Sequence, residues 1–155
     1  MADFKQAIEL TLVHEGGYVN NIHDAGGETN MGISKRQYPN LDIKNLTQDQ
    51  AIEIYREGYW KPLYSQINDQ PIANKLFDLG VLFGVGAAVK TLQTALSIVS
   101  DGAFGPTSLA VTNAMEPVSL LVSFKTQLVS HAVRVVAANP GDRIFFAGWT
   151  RRINS

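Results

Sequence analysis

The amino-acid sequence predicts a mainly α protein with at most a small β-hairpin near residues 18–33. Three observations carry this. Apolar residues recur at helical spacing in several separate segments. Asp3 with Gln6, and Thr47 with Gln50, have the spacing of N-terminal capping boxes. The glycine- and asparagine-rich irregular stretch is confined to residues 16–46.

In chain order, Phe4, Ala7, Ile8 and Leu12 predict a first helix that carries Glu15 on its last turn and is stopped by Gly16-Gly17 in a left-handed cap. Tyr18-Val19 and Met31-Gly32-Ile33 are short enough to pair as the hairpin. Thr47 opens a second helix through Ala51, Ile54 and Tyr55 to about Gly58. Pro71 opens a third, through Leu76 and Phe77 to about Phe83. Gly84-Val85-Gly86 breaks the pattern and marks a candidate lobe boundary. A helix over 87–99 follows, with Val89, Leu92, Leu96 and Val99 on one face. The turn-rich Asp101-Gly102-Ala103-Phe104-Gly105 precedes a short helix from Pro106. A long helix begins at Pro117 and stops at Asn139-Pro140-Gly141, and a last one spans about 142–153.

Composition narrows the function. The chain has 155 residues, is 45% hydrophobic and 17% charged, and contains no cysteine. That fits one domain or two fused lobes and rules out disulfides and zinc-thiolate sites. Net charge is −1, with 7 Lys/Arg against 10 Asp/Glu in residues 1–75 and 6 against 4 in residues 76–155. This mild asymmetry lacks the basic stripe that nucleic acid requires. The longest apolar stretch, 76–89, is interrupted by Asp78 and three glycines, so no stable membrane insertion is expected. The first residues lack the basic and apolar regions of a secretory signal.

Glu15, Asp24 and Thr29 stand out chemically. A carboxyl at a helix end followed by a glycine-rich loop with a second carboxylate suits glycoside hydrolysis. The partial negative charge of a helix C-terminus disfavours ionisation there, which suits a proton donor. A loop carboxylate can then stabilise an oxocarbenium-like transition state or orient water. Glu28 is an alternative second carboxylate. On spacing alone the ordinary readings, a solvated Glu and a turn-forming Asp, remain open. His14 and His23 flank the acids without metal-ligand spacing and are read as structural. Tyr18, Tyr55, Tyr59, Trp60 and Tyr64 can stack on sugar rings. Tyr18 and Tyr59 are retained as substrate contacts, with Tyr55 and Trp60 expected in the core. Asp78, alone in an apolar helix, needs a polar partner or a cleft.

The segments His14-Glu15-Gly16-Gly17-Tyr18-Val19-Asn20 and Gly26-Gly27-Glu28-Thr29-Asn30-Met31-Gly32-Ile33-Ser34 resemble glycoside hydrolase family 108, a family of phage-type and secretion-associated N-acetylmuramidases. The likeness continues through Tyr59-Trp60, Leu76-Phe77-Asp78, Asp101-Gly102-Ala103-Phe104-Gly105-Pro106 and Gly148-Trp149. It implies a lysozyme-like helical fold, with a catalytic lobe at 1–70 and a peptidoglycan-binding-like helical lobe at 71–155 packed tightly on it. It implies cleavage between N-acetylmuramic acid and N-acetylglucosamine, with Glu15 as the catalytic acid. The Glu15, Asp24, Thr29 order is also similar to the triad of other phage lysozymes. Glu28 and Asn30, in the second segment, join Tyr18 and Tyr59 as expected substrate contacts. Two positions depart from the family: residues 21–25 lack its loop prolines, and Leu82 stands where it often has Asn.

No cofactor or metal is expected. The expected partners are peptidoglycan glycan strands and a holin or secretion apparatus, with a monomeric enzyme and no nucleic acid. Synthesis in a bacterial cytoplasm and action in the periplasm or wall are expected. A lytic transglycosylase, a non-catalytic wall-binding or secretion-accessory protein, and a metal-dependent amidase are the competing classes.

Overall fold

The computed structural model describes residues 1–20 and 27–155. Among these are seven α-helices and a three-stranded antiparallel sheet. Helix α1 (Phe4–His14) leads into β1 (Val19–Asn20), β2 (Glu28–Asn30) and β3 (Ile33–Ser34). Helices α2 (Gln48–Tyr59), α3 (Gln70–Phe83), α4 (Val85–Ala95), α5 (Pro106–Ala114), α6 (Pro117–Ala138) and α7 (Phe146–Asn154) follow.

Local chemistry starts these helices. Thr47 and Gln50 form the reciprocal capping box, each side chain serving the other's backbone N–H. Asp69 caps α3 by accepting from Ile72 N at 3.0 Å, with Pro71 in the first turn. Glu116 caps α6 through Val118 N and Ser119 N. Asp3 caps α1 through Lys5 N at 2.8 Å, but its own N–H donates to Gln70 Oε1 at 2.6 Å rather than to Gln6. The expected local box is thus closed across the fold, tying α1 to the start of α3.

The sheet differs in register from the expected hairpin. Val19 lies opposite Thr29, and Asn30 opposite Ile33. Met31-Gly32 forms the two-residue turn between β2 and β3, with φ of 48° and 76°. Two positive φ values in a two-residue hairpin loop are the pattern of a type I′ turn, whose twist matches the flanking strands.

Two helix ends also depart from expectation. Helix α4 stops at Ala95, Ser97 takes φ 57°, and Val99 is exposed instead of extending the apolar face. The segment Pro140–Phe145 is a 3₁₀ turn, so α7 starts at Phe146.

Two apolar clusters fill the interior. One joins α1, β3, α2 and Phe77; the other joins the remaining face of α3 to α4, α6 and Ile153 of α7. Helix α3 serves both, and Trp60 packs on both, with edge contacts to Phe4, Tyr64 and Phe77. Phe104 anchors its loop against Tyr64. Sharing α3 between the clusters couples the first helix to the last, and that coupling builds the site.

Candidate active site

Glu15 is the residue at which α1 ends. Its N–H still bonds Thr11 O at 3.2 Å, but its backbone is extended, with φ −86° and ψ 127°. Neither Gly16 nor Gly17 takes a left-handed conformation. The helix ends because Glu15 itself leaves helical geometry, and its side chain lines a cleft of about 150 Å³.

Besides Glu15, the cleft is built from five parts of the chain. The β2–β3 turn gives Gly32 and Ile33; the following segment gives Gln37 and Tyr38; α2 gives Ile54, Tyr55 and Tyr59; α3 and α7 give Val81, Leu82 and Arg152. Gly32 is required by space as well as by backbone angle. A Cβ there would fall on the Glu15 carboxylate and the Tyr55 hydroxyl. Tyr55 donates its hydroxyl proton to Met31 O at 2.8 Å, pinning the turn against the cleft.

A buried charge chain holds Glu15. Arg152 Nη1 lies 2.9 Å from Glu15 Oε1. Arg152 Nε and Nη2 grip Asp78 at 3.1 and 2.9 Å, and Thr11 Oγ1 donates to Asp78 Oδ1 at 3.0 Å. Side-chain exposure is 10% for Arg152, 16% for Glu15 and 7% for Asp78. Bidentate geometry with charge-assisted hydrogen bonds is what makes such burial tolerable. Burial opposes the Arg152 charge, but the hydrogen bonds and charge of Asp78, with Glu15, outweigh it and raise the pKa. The guanidinium is therefore a fixed positive charge that faces both Asp78 and Glu15.

The tyrosines beside it stay protonated. Burial, then the charge of Glu15, pushes the Tyr55 hydroxyl up; burial, then Tyr38 and Glu15, raises Tyr59. Tyr59, half-buried on the wall, presents an aromatic ring and a hydroxyl group to the cleft. Leu82 presents an apolar side chain where the family resemblance leads one to expect an amide.

The remaining expected site residues are distributed elsewhere. Asp24 and His23 lie outside the described residues. Tyr18 is exposed and donates to Glu28 Oε1 at 2.9 Å; neither lines the cleft. Thr29 is half-buried in β2. Asn30 is buried and gives its amide to Ile43 O at 3.1 Å, so it holds the turn from behind. His14 is exposed. Among the described residues no group of three His, Asp, Glu or Cys could hold a metal ion.

Sequence reasoning missed Arg152 as a site residue. The unexplained acid at Asp78 was the available signal, since a buried carboxylate demands a cation. The two are 74 positions apart, a separation at which no spacing rule connects them.

A helical protein with a small sheet beside a cleft, and a carboxyl at the first helix's end facing that cleft, has the architecture of a lysozyme-like glycoside hydrolase. Residues 8–84 match the family described as glycosyl hydrolase 108, which supports assignment of the chain to that family. Among solved structures it is similar to one titled "Structure of Brucella abortus SagA", at 27% identity and TM-score 0.79, covering 97% of this chain and 89% of that one. No curated protein matches. The family match supports a glycoside hydrolase, and peptidoglycan as substrate is consistent with it.

Proposed function

We propose that the protein is a muramidase that hydrolyses the bond between N-acetylmuramic acid and N-acetylglucosamine, with Glu15 as the proton donor. The observation that carries this is Glu15 itself: a carboxyl at the cleft wall, held at one oxygen by Arg152 and crowded at the other by Gly32. Protonated Glu15 gives its proton to the glycosidic oxygen as the C–O bond breaks. The carboxylate so formed is stabilised by Arg152, a charge already in place before the reaction. Asp24 is the proposed second carboxylate, with Thr29 orienting water; Glu28 is the alternative. Ile54, Val81 and Leu82 add apolar side chains to the cleft lining, and Tyr59 receives the sugar face.

The division of labour follows the same reading. Residues 1–70 supply the acid and most of the cleft, and residues 71–155 form a wall-binding lobe that also returns Arg152 to the acid. The enzyme acts in the periplasm or wall, where peptidoglycan lies, after export through a holin or secretion apparatus. Among the described residues no helix is long and apolar enough to cross a membrane. Digestion of purified peptidoglycan, with the products identified by mass spectrometry, tests the reaction. Reducing N-acetylmuramic acid ends are expected. Anhydro ends would make it a lytic transglycosylase, released stem peptides an amidase, and no products a binding protein.

A further inference from the structure

We propose that the groove between α4, α6 and the 101–105 loop is a second substrate site, one that takes the carboxylates of peptidoglycan stem peptides. This rests on the reading of peptidoglycan as substrate. The groove encloses about 540 Å³ and shares no residue with the cleft.

Its chemistry differs from that of the cleft. No Trp, Tyr or Phe lines it, so it lacks the flat apolar surface on which pyranose rings stack. Lys90 and Arg134 line it instead, both exposed. Among the described residues neither has an acid within 4.0 Å of its cationic nitrogens. Arginine's planar fork suits a carboxylate, and lysine supplies a second point charge. Asp101, the groove's one acid, directs its carboxylate into its own loop, accepting from Ala103 N at 2.9 Å and Gln93 Nε2 at 2.7 Å.

The groove is also built in advance of any ligand. Gln93 is 2% exposed and spends its whole amide on the loop and on the start of α5. Besides Asp101, its Nε2 reaches Ala103 O and Ser108 Oγ, and its Oε1 accepts from Gly102 N at 2.9 Å. Gly102 has φ +81°, and a Cβ there would stand 3.1 Å from Lys90 Cε and 3.3 Å from Gly86 O. The loop thus lies directly on the lysine stem and limits its freedom, which lowers the entropic cost of binding. An anionic ligand seated here would hold the wall polymer while the cleft works on its glycan.

The test is co-sedimentation with isolated sacculi in a Glu15→Gln background, which keeps the polymer intact. Adding Lys90→Glu and Arg134→Glu is expected to weaken binding roughly tenfold, the scale of two exposed ion pairs reversed. The loss should shrink at high salt. A soluble stem peptide with a free C-terminal carboxylate should compete, and its C-terminal amide should not. Should the double variant fail to fold, Lys90→Gln and Arg134→Gln singly are each expected to cost about threefold. Unchanged sacculus binding would overturn the proposal. So would an equal loss on glycan strands stripped of peptide, or competition by inorganic phosphate equal to that of the peptide. Wild-type release of reducing ends is read separately, so failure of the catalytic reading and failure of the groove are distinguishable.

Discussion

At the scale of single residues, the site is a problem in charge. Arg152 lies 2.9 Å from Glu15 and fixes the side chain at the cleft wall. Sharing the guanidinium with Asp78 divides its charge between two acids. Removing it as Arg152→Gln leaves Asp78, 7% exposed, without its cation. The expected cost is about 3 kcal/mol, the scale for breaking a buried pair from one side. In a chain of this size that lowers Tm by about 6–12 °C. Differential scanning calorimetry would check it, and a Tm unchanged within a degree or so would show that the pair contributes nothing. Activity should fall beyond what unfolding explains, because Glu15 loses the group that fixes its position.

At the scale of elements, the β2–β3 turn and the end of α1 are one device. Tyr55 pins the turn through Met31 O, and Gly32 leaves the space into which the Glu15 carboxylate fits. Gly32→Ala should therefore damage activity more than stability. Its Cβ must displace Glu15 or Tyr55, and φ 76° adds about 1 kcal/mol of backbone strain. Turnover on peptidoglycan measured beside Tm would decide this; an Ala variant with wild-type turnover would contradict the geometry. Much at this scale was legible in the sequence. Capping pairs and prolines located the helix starts at Thr47, Pro71, Pro106 and Pro117, because those signals act within one turn. The strand register was not legible, since runs of two or three residues carry too little alternation to fix a partner. Asp3 shows the same limit from the other side: its cap was visible, but Gln70, 67 positions away, replaced the local Gln6. Glu15 was legible only because a motif resemblance joined a helix end to a glycine-rich loop, and Arg152 had no local mark at all.

At the scale of the molecule, the site depends on α7 reaching back to α1. Two lysines secure that return. Lys75 Nζ donates to Arg152 O at 2.8 Å and Ser155 O at 3.2 Å, and Lys125 Nζ donates to Asn154 O and Ser155 O. They occupy carbonyls that a helix leaves unpaired at its C-terminus. Burial pushes Lys75 down to about 8 from its ordinary 10.5, partly offset by Asp78. Above pH 8 the folded chain has given up this proton while the unfolded chain still holds it, so stability from this group rises with pH. Urea midpoints at about pH 7.5 and 9.5 should show the wild type gaining on Lys75→Met across that window; parallel profiles would refute the burial effect. Whether Glu15 supplies the proton for glycosidic cleavage is read from the turnover of Glu15→Gln on purified peptidoglycan. Gln keeps the size and an oxygen for Arg152 but has no acidic proton. Release of reducing ends is expected to fall by about 10²-fold or more with sacculus binding retained. A Gln variant that releases them at the wild-type rate would contradict the assignment and move the acid elsewhere in the cleft.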